Sequence, residues 1–139
     1  MSNLEKTLSI IKPDAVERDL TEKIKSIFLS NGFNIINEKK LQLSKTEAEQ
    51  FYLVHQSKPF YNDLCSYLSS GPIVVMILEK ENAIKHNRDL MGATNPENAD
   101  ENTIRKLYGI SVEQNSVHGS DSNSNAKIEI DFFFLTEKF

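Results

Sequence analysis

The run Ile73-Val74-Val75-Met76-Ile77-Leu78 is the feature that most constrains the fold of this chain. Every side chain in it is apolar and most are β-branched, and no polar residue alternates with them. A strand with one face in water alternates between apolar and polar residues, whereas a strand covered on both faces does not. We therefore predict that residues 73–78 form a central strand whose two faces are both covered.

Strand and helix patterns alternate along the rest of the chain. Phe33, Ile35, Leu41 and Leu43 share one parity in a segment with a polar middle, which predicts an edge strand or a bulge. The capping box Ser44-Lys45-Thr46-Glu47 opens a helix that carries Phe51, Tyr52 and His55. The other predicted elements are a strand at 7–11 and helices at 21–31, 61–68, 81–90, 103–108 and 122–131. Because no repeat or linker interrupts this pattern, we expect one α+β domain over residues 1–139.

Composition excludes several classes of protein. A net charge of -4 gives no global reason for nucleic-acid binding, so no specific nucleic acid is expected as a partner. The single cysteine, Cys65, rules out an intrachain disulfide. The apolar runs are too short to span a membrane, and residues 1–6 lack the apolar centre of a signal peptide. We expect a cytoplasmic protein with no membrane partner.

Motifs that are missing restrict how phosphate could be bound. Neither Gly-x-x-x-x-Gly-Lys-Ser/Thr nor Gly-x-Gly-x-x-Gly occurs, and the three histidines lack zinc-site spacing. A phosphate would therefore have to meet separate cationic side chains. Of the 16 basic residues only Arg18, Arg88 and Arg105 are arginines, the side chain that grips phosphate bidentately. Arg88 and Arg105 flank the turn-rich segment 91–96, which favours a role for both.

The segment Asn115-Ser116-Val117-His118-Gly119-Ser120-Asp121 is the strongest candidate for chemistry. A neutral imidazole is a nucleophile near pH 7 when a neighbouring group orients its ring. Taken alone, a His-Gly dipeptide more often marks a polar turn than an active site. The segment therefore needs support from the rest of the chain.

Five blocks supply that support, and together they resemble the nucleoside diphosphate kinase family over essentially the whole length. The blocks are residues 7–16, Pro59-Phe60 with Leu64, residues 92–96, residues 103–105 and Asn115-x-x-His118-Gly119-Ser120-Asp121. The resemblance implies a ferredoxin-like βαββαβ sandwich with a four-stranded antiparallel sheet and helices on one face. It also implies ping-pong transfer of a γ-phosphoryl group from a nucleoside triphosphate, typically ATP, to a nucleoside diphosphate, which maintains the NTP and dNTP pools. The chain resembles the bacterial short form of the family.

The resemblance implies a role for each matched residue. His118 would be the nucleophile and form a phosphohistidine, Glu129 would bond the second imidazole nitrogen, and Ser120 would bond Glu129. Tyr52 would help to orient His118, and Asn115 would bind near the ribose 3′-hydroxyl. The residues implied to contact the nucleotide are Lys12, Phe60, Leu64, Arg88, Thr94, Arg105, Val112, Asn115 and Gly119. Phe60 and Val112 would clamp any base by stacking, with Leu64 lining the same cleft, so nucleoside specificity would be broad.

Further expectations concern the metal and the assembly. Mg²⁺ would be carried on the nucleotide phosphates with few or no protein ligands. Pro96 matches a loop proline at subunit contacts, which favours a homo-hexamer over a tetramer. The alternative function is a non-catalytic ferredoxin-like module that binds nucleotide or RNA, because fold alone never selects an activity.

Overall fold

The structure, a computed structural model, describes residues 4–53, 56–110 and 116–134. Strands and helices alternate along these segments, as the sequence pattern predicts. In chain order the elements are β1 (Leu4–Ile11), α1 (Pro13–Glu17), α2 (Thr21–Ser30), β2 (Asn34–Leu41), α3 (Lys45–Phe51), α4 (Tyr61–Leu68), β3 (Ile73–Glu81), α5 (Ala83–Met91), α6 (Ile104–Tyr108), β4 (Val117–Gly119) and α7 (Asn123–Phe134).

The four strands form one antiparallel sheet in the order β2-β3-β1-β4, so the predicted four-stranded antiparallel sheet is confirmed. β3 pairs with β1 on one side and β2 on the other, and its residues 73–78 are all buried. The central strand predicted from the apolar run is therefore confirmed. β2 lies at the edge and its register shifts between Ile35 and Asn37, which confirms the predicted irregular edge strand.

Helices cover both faces of the sheet, so the expectation of helices on one face is wrong. On one face Ile24 and Phe28 of α2 and Met91 of α5 pack in a single core cluster with Val74 and Met76 of β3. A second cluster on the opposite face draws its residues from α3, α4, α7 and the alternate positions of β1 and β3, among them Leu8, Ala48, Leu68, Val75 and Phe133. The physical reason is that both parities of β3 are apolar, so each face must be covered.

Three predicted helix boundaries need correction. The Ser44–Glu47 capping box is present with both of its hydrogen bonds, at 3.1 and 2.9 Å, but α3 ends at Phe51 and leaves Tyr52 as its C-terminal cap. His55 lies outside the described residues. Glu81 belongs to β3, and α5 begins only at Ala83 after Asn82, whose φ of 52° turns the chain. The last helix continues beyond residue 131 to Phe134, because Phe133 and Phe134 are buried in the second core cluster.

Within the described segments, no helix has the length and apolar character needed to cross a membrane.

Candidate active site

His118 is the middle residue of β4, opposite Ile10 of β1. Successive residues of a strand point to opposite faces, and Val117 packs in the cluster beneath α2 and α5. The imidazole therefore points to the other face, toward α3 and α7. Its side chain is 22% exposed, so neighbouring residues enclose most of it while solvent still reaches the ring.

A carboxylate fixes one nitrogen of this imidazole. Nε2 of His118 lies 2.9 Å from Oε1 of Glu129 on α7. The hydroxyl of Ser120 donates to the same oxygen at 2.9 Å, and the backbone N–H of Leu8 donates to that hydroxyl at 3.3 Å. An ionised carboxylate only accepts hydrogen bonds, so Nε2 carries the proton and Nδ1 keeps its lone pair. The structure therefore brings together His118, Glu129 and Ser120. The family resemblance implied these residues as the nucleophile, its hydrogen-bond partner and the residue that bonds that partner.

Aromatic side chains hold the ring from the α3 side. The centroid of the Phe51 ring lies 5.5 Å from that of His118 in an edge arrangement, and the Tyr52 centroid lies 6.5 Å away. Burial, with the Glu129 carboxylate as a second cause, raises the pKa of Tyr52, so this phenol stays neutral. Sequence reasoning selected Tyr52 and missed Phe51. The signal was weak, because Phe51 also packs on Phe132 and Phe133 like an ordinary core residue.

Arg105 on α6 is a buried cation that joins two parts of the site. Its Nη1 donates to the carbonyl of Gly92 at 3.0 Å and its Nη2 to the carbonyl of Val117 at 2.9 Å. Burial and then the positive charge of Arg88 lower the pKa of Arg105 to about 10, which leaves it charged at neutral pH. Arg88 is exposed in the last turn of α5. The mutual repulsion of two guanidinium groups makes this region attractive to an anion.

Lys12 and Thr94 come from two other segments. Lys12 is buried at the end of β1, and its backbone N–H donates to the carbonyl of Ser116 at 2.8 Å. Thr94 is exposed in the turn after α5. That turn begins at Gly92, whose φ of 87° favours glycine, and a Cβ there would lie 2.6 Å from Oγ1 of Thr103.

Phe60 and Leu64 lie one turn apart at the start of α4. The Phe60 side chain is 50% exposed, whereas Leu64 is partly buried against the core. Of the pair, Phe60 is the more exposed, and half of its side chain is accessible to solvent. Val112 and Asn115 lie outside the described residues.

Gly119 has a packing reason to be glycine. A Cβ at this position would overlap the amide nitrogen of Asn87 and lie 2.9 Å from Cε of Met91, both on α5. The absent side chain therefore lets α5 approach β4 on the face opposite to the imidazole. This close approach also keeps Arg88, the neighbour of Asn87, near the strand that carries His118.

The assembled groups suit one type of chemistry. A neutral imidazole nitrogen has an oriented lone pair, a carboxylate stabilises the positive charge that the ring gains when it reacts, and guanidinium groups lie nearby. Phosphoryl transfer needs such positioning and stabilisation of spread negative charge, and an oriented imidazole nitrogen is able to accept the phosphoryl group covalently.

Comparisons with known proteins point to the same chemistry. A family model described as nucleoside diphosphate kinase matches residues 5–139. A relative named nucleoside diphosphate kinase from Geobacter sulfurreducens is 57% identical over 131 residues, which cover 94% of this chain and 96% of that protein. Another with the same name, from Persephonella marina, is 55% identical over 132 residues and covers 95% and 94% of the two chains.

Solved structures agree with these matches. The crystal structure of the Aquifex aeolicus nucleoside diphosphate kinase superposes with a TM-score of 0.93 at 40% identity, covering 94% of this chain and 95% of that one. The apo enzyme from Encephalitozoon cuniculi superposes with a TM-score of 0.91 at 34% identity, covering 94% and 88%.

Proposed function

Because this chain belongs to the nucleoside diphosphate kinase family, we propose that it transfers the terminal phosphoryl group of a nucleoside triphosphate to a nucleoside diphosphate through a phosphorylated His118. The family, its ferredoxin-like fold and its class of enzyme, a nucleotide phosphotransferase, were predicted from the sequence and are confirmed. The alternative of a non-catalytic binding module is not favoured.

The pairing of His118 with Glu129 is the observation that carries the proposal. With Nε2 held by Oε1 of Glu129, the lone pair of Nδ1 attacks the γ-phosphorus in line with the bridging oxygen. The N–P bond forms as the P–O bond to the nucleoside diphosphate breaks. The imidazole gains positive charge in this step, and the Glu129 carboxylate stabilises it. A second nucleoside diphosphate then takes the phosphoryl group by the reverse reaction.

Cations supply the electrostatic part of the proposal. Lys12 would contact the transferring phosphoryl group, Arg105 would contact it from another side, and Arg88 with Thr94 would bind the outer phosphates. Preorganised charges stabilise a transition state without reorganising at the moment of reaction. The two backbone bonds of Arg105 support this role, since they hold the guanidinium in place before substrate arrives.

Base and ribose contacts are proposed for the open side of the site. The half-exposed ring of Phe60 would stack on any base, with Val112 on its other face and Leu64 beside it. Asn115 would bind near the ribose 3′-hydroxyl, and Gly119 would also contact the nucleotide. Stacking without edge recognition predicts broad nucleoside specificity.

Magnesium fits this site as a companion of the phosphates. Within the described part of the chain, no group of three or more His, Cys, Asp or Glu side chains could hold a metal. Phosphate oxygens would supply most of the ligands, as is usual for Mg²⁺ in phosphoryl transfer. When bound, the ion neutralises the charge that collects on the leaving diphosphate. Lys12, Arg88 and Arg105 would hold the same phosphates from the protein side.

Assembly into a hexamer belongs to the proposal as well. Among the described strands β2 lies at the edge of the sheet, and Ile36 on it is exposed, as is Leu29 on the adjacent α2. Such an edge is a ready surface for a second copy of the chain. Light scattering would distinguish a hexamer from a tetramer. A role in maintaining the nucleotide pools is consistent with a cytoplasmic location.

Steady-state kinetics test the proposed mechanism. Initial rates measured at several ATP concentrations against a varied nucleoside diphosphate should give parallel double-reciprocal lines, because the first product leaves before the second substrate binds. Converging lines would show a ternary complex and contradict the phosphohistidine route. His118→Ala should abolish the transfer.

A further inference from the structure

Ser116, a buried residue two positions before His118, has a strained backbone. Its φ is 76°, in the left-handed region that serine seldom adopts. Such conformations persist only where the surrounding structure holds them, and they concentrate at functional sites. The contacts of Ser116 therefore show what fixes the start of β4.

The segment that carries Lys12 holds Ser116. The backbone N–H of Lys12 donates to the carbonyl of Ser116 at 2.8 Å. The hydroxyl of Ser116 donates to Oδ2 of Asp14 at 3.3 Å and accepts from Nη2 of Arg18 at 3.4 Å. Both the main chain and the side chain of the strained residue are thus tied to α1 and the residues that flank it.

Asp14 is itself held by a second helix. Its side chain is 3% exposed, and its Oδ1 accepts a hydrogen bond from the hydroxyl of Tyr67 on α4. Its Oδ2 lies 3.4 Å from Nη2 of Arg18, and its backbone N–H donates to the Tyr67 hydroxyl at 2.9 Å. Burial and the Asp14 carboxylate raise the pKa of Tyr67, so the phenol keeps the proton that it donates. With partners on both oxygens, the carboxylate has one orientation.

Asp14, Arg18, Tyr67 and Ser116 form a cluster of hydrogen-bonded side chains. Its location is important because β4 is short. β4 has three residues, and Ile11 with Val117 is the last pair of its ladder with β1. Beyond that pair, the contacts of Lys12 and Asp14 with Ser116 continue the connection. These contacts join Lys12, which follows β1, to the residue two positions before His118.

We propose that Asp14, held by Tyr67 and Arg18, is a positioning residue that fixes Ser116 and so sets His118 against Lys12. The inference rests on the proposed function, in which these two side chains act on one phosphoryl group. In-line transfer is sensitive to position, and a misplacement of about 1 Å can cost about 10²-fold in rate. The loss should fall on the chemical step, because the cluster includes neither Arg88 nor Phe60.

Tyr67→Phe tests the cluster by removing one hydroxyl while keeping the ring. Tyr61→Phe is the matched control, since it removes a hydroxyl from the same helix that donates instead to the carbonyl of Glu49 at 2.7 Å. Single-turnover phosphorylation of His118 at varied Mg-ATP gives the maximal rate and the apparent Kd. Tyr67→Phe should lower the maximal rate at least about 10-fold and leave the apparent Kd within about twofold. The control should match the parent protein in both.

A second substitution separates positioning from general loosening. Glycine adopts a left-handed φ without strain, so adding Ser116→Gly to Tyr67→Phe should recover part of the lost rate. Circular dichroism checks folding, and Asp14→Asn takes the place of Tyr67→Phe if that variant does not fold. A parent-like rate in the variant, a loss confined to the apparent Kd, or no recovery with Ser116→Gly would overturn the positioning role. A parent protein that takes up no phosphoryl group would overturn the proposed function instead.

Discussion

Replacing Glu129 with glutamine removes the negative charge behind the imidazole and changes the shape of the side chain little. The amide oxygen can still accept the Nε2–H bond that spans 2.9 Å in the structure. What is lost is the charge assistance of that bond, about 1–1.5 kcal/mol. The attraction between carboxylate and imidazolium as the ring becomes positive is lost as well.

The Coulomb part follows from the same distance. Two unit charges about 3 Å apart interact by about 5 kcal/mol at an effective dielectric constant of about 20. The side chains of His118 and Glu129 are 22% and 18% exposed, so solvent screens a substantial share of this energy. We therefore expect a loss of about 3 kcal/mol in the transition state, or about 10²-fold in the rate of phosphorylation.

Rapid-quench measurement with radiolabelled Mg-ATP gives this rate directly. Asp131→Asn is the matched control, because it neutralises a carboxylate on the same helix that pairs with the exposed Lys127 at 3.4 Å. That control should keep the parent rate. A rate for Glu129→Gln within about threefold of the parent would refute the reasoning, because it would mean that the carboxylate adds almost none of the expected transition-state stabilisation.

Three other predictions concern Gly119, Phe60 and the binding of Mg-ADP. Gly119→Ala forces a Cβ into the amide of Asn87 and should destabilise the fold by about 1–3 kcal/mol in urea unfolding, and an unchanged midpoint would contradict that packing. Phe60→Ala should weaken the binding of every nucleoside diphosphate by about 1–3 kcal/mol with little change in Tm, and a loss for one base only would argue against stacking. Mg-ADP at about 100 times its Kd should stabilise the protein by about 2.7 kcal/mol. Chelating the Mg²⁺ with EDTA should reduce that gain, and an equal shift without the metal would contradict its place on the phosphates.

Local sequence patterns predicted those elements whose causes are local. The apolar run at 73–78 identified the central strand because burial on both faces leaves no polar position in it. The Ser44 capping box identified the start of α3 because the serine and the glutamate satisfy each other within one turn.

Elements fixed by distant contacts were harder to predict. The start of α5 depends on Glu5, which accepts the N–H of Ile84 from 79 positions away. No pattern within residues 81–90 carries that information, so the predicted helix began too early. Which helices cover each face of the sheet similarly depends on how α3, α4 and α7 fold back.

In the candidate site too, some residues could be predicted from the sequence and others could not. Glu129 alone resembles an ordinary solvated helix carboxylate, and only the family resemblance linked it to His118. The roles of Phe51 beside the ring and of Asp14 behind Ser116 depend on tertiary contacts, at 5.5 Å between ring centroids and 3.3 Å between oxygens. Side chains that act through such tertiary contacts form no regular pattern along the sequence, so the sequence alone could not reveal their roles.

Intact mass spectrometry of the protein after incubation with Mg-ATP shows whether His118 becomes phosphorylated. We predict one added phosphoryl group that is labile in acid, is lost when a nucleoside diphosphate is added, and is absent from His118→Ala. An unchanged mass, or a phosphoryl group that remains in His118→Ala and withstands acid, would contradict it.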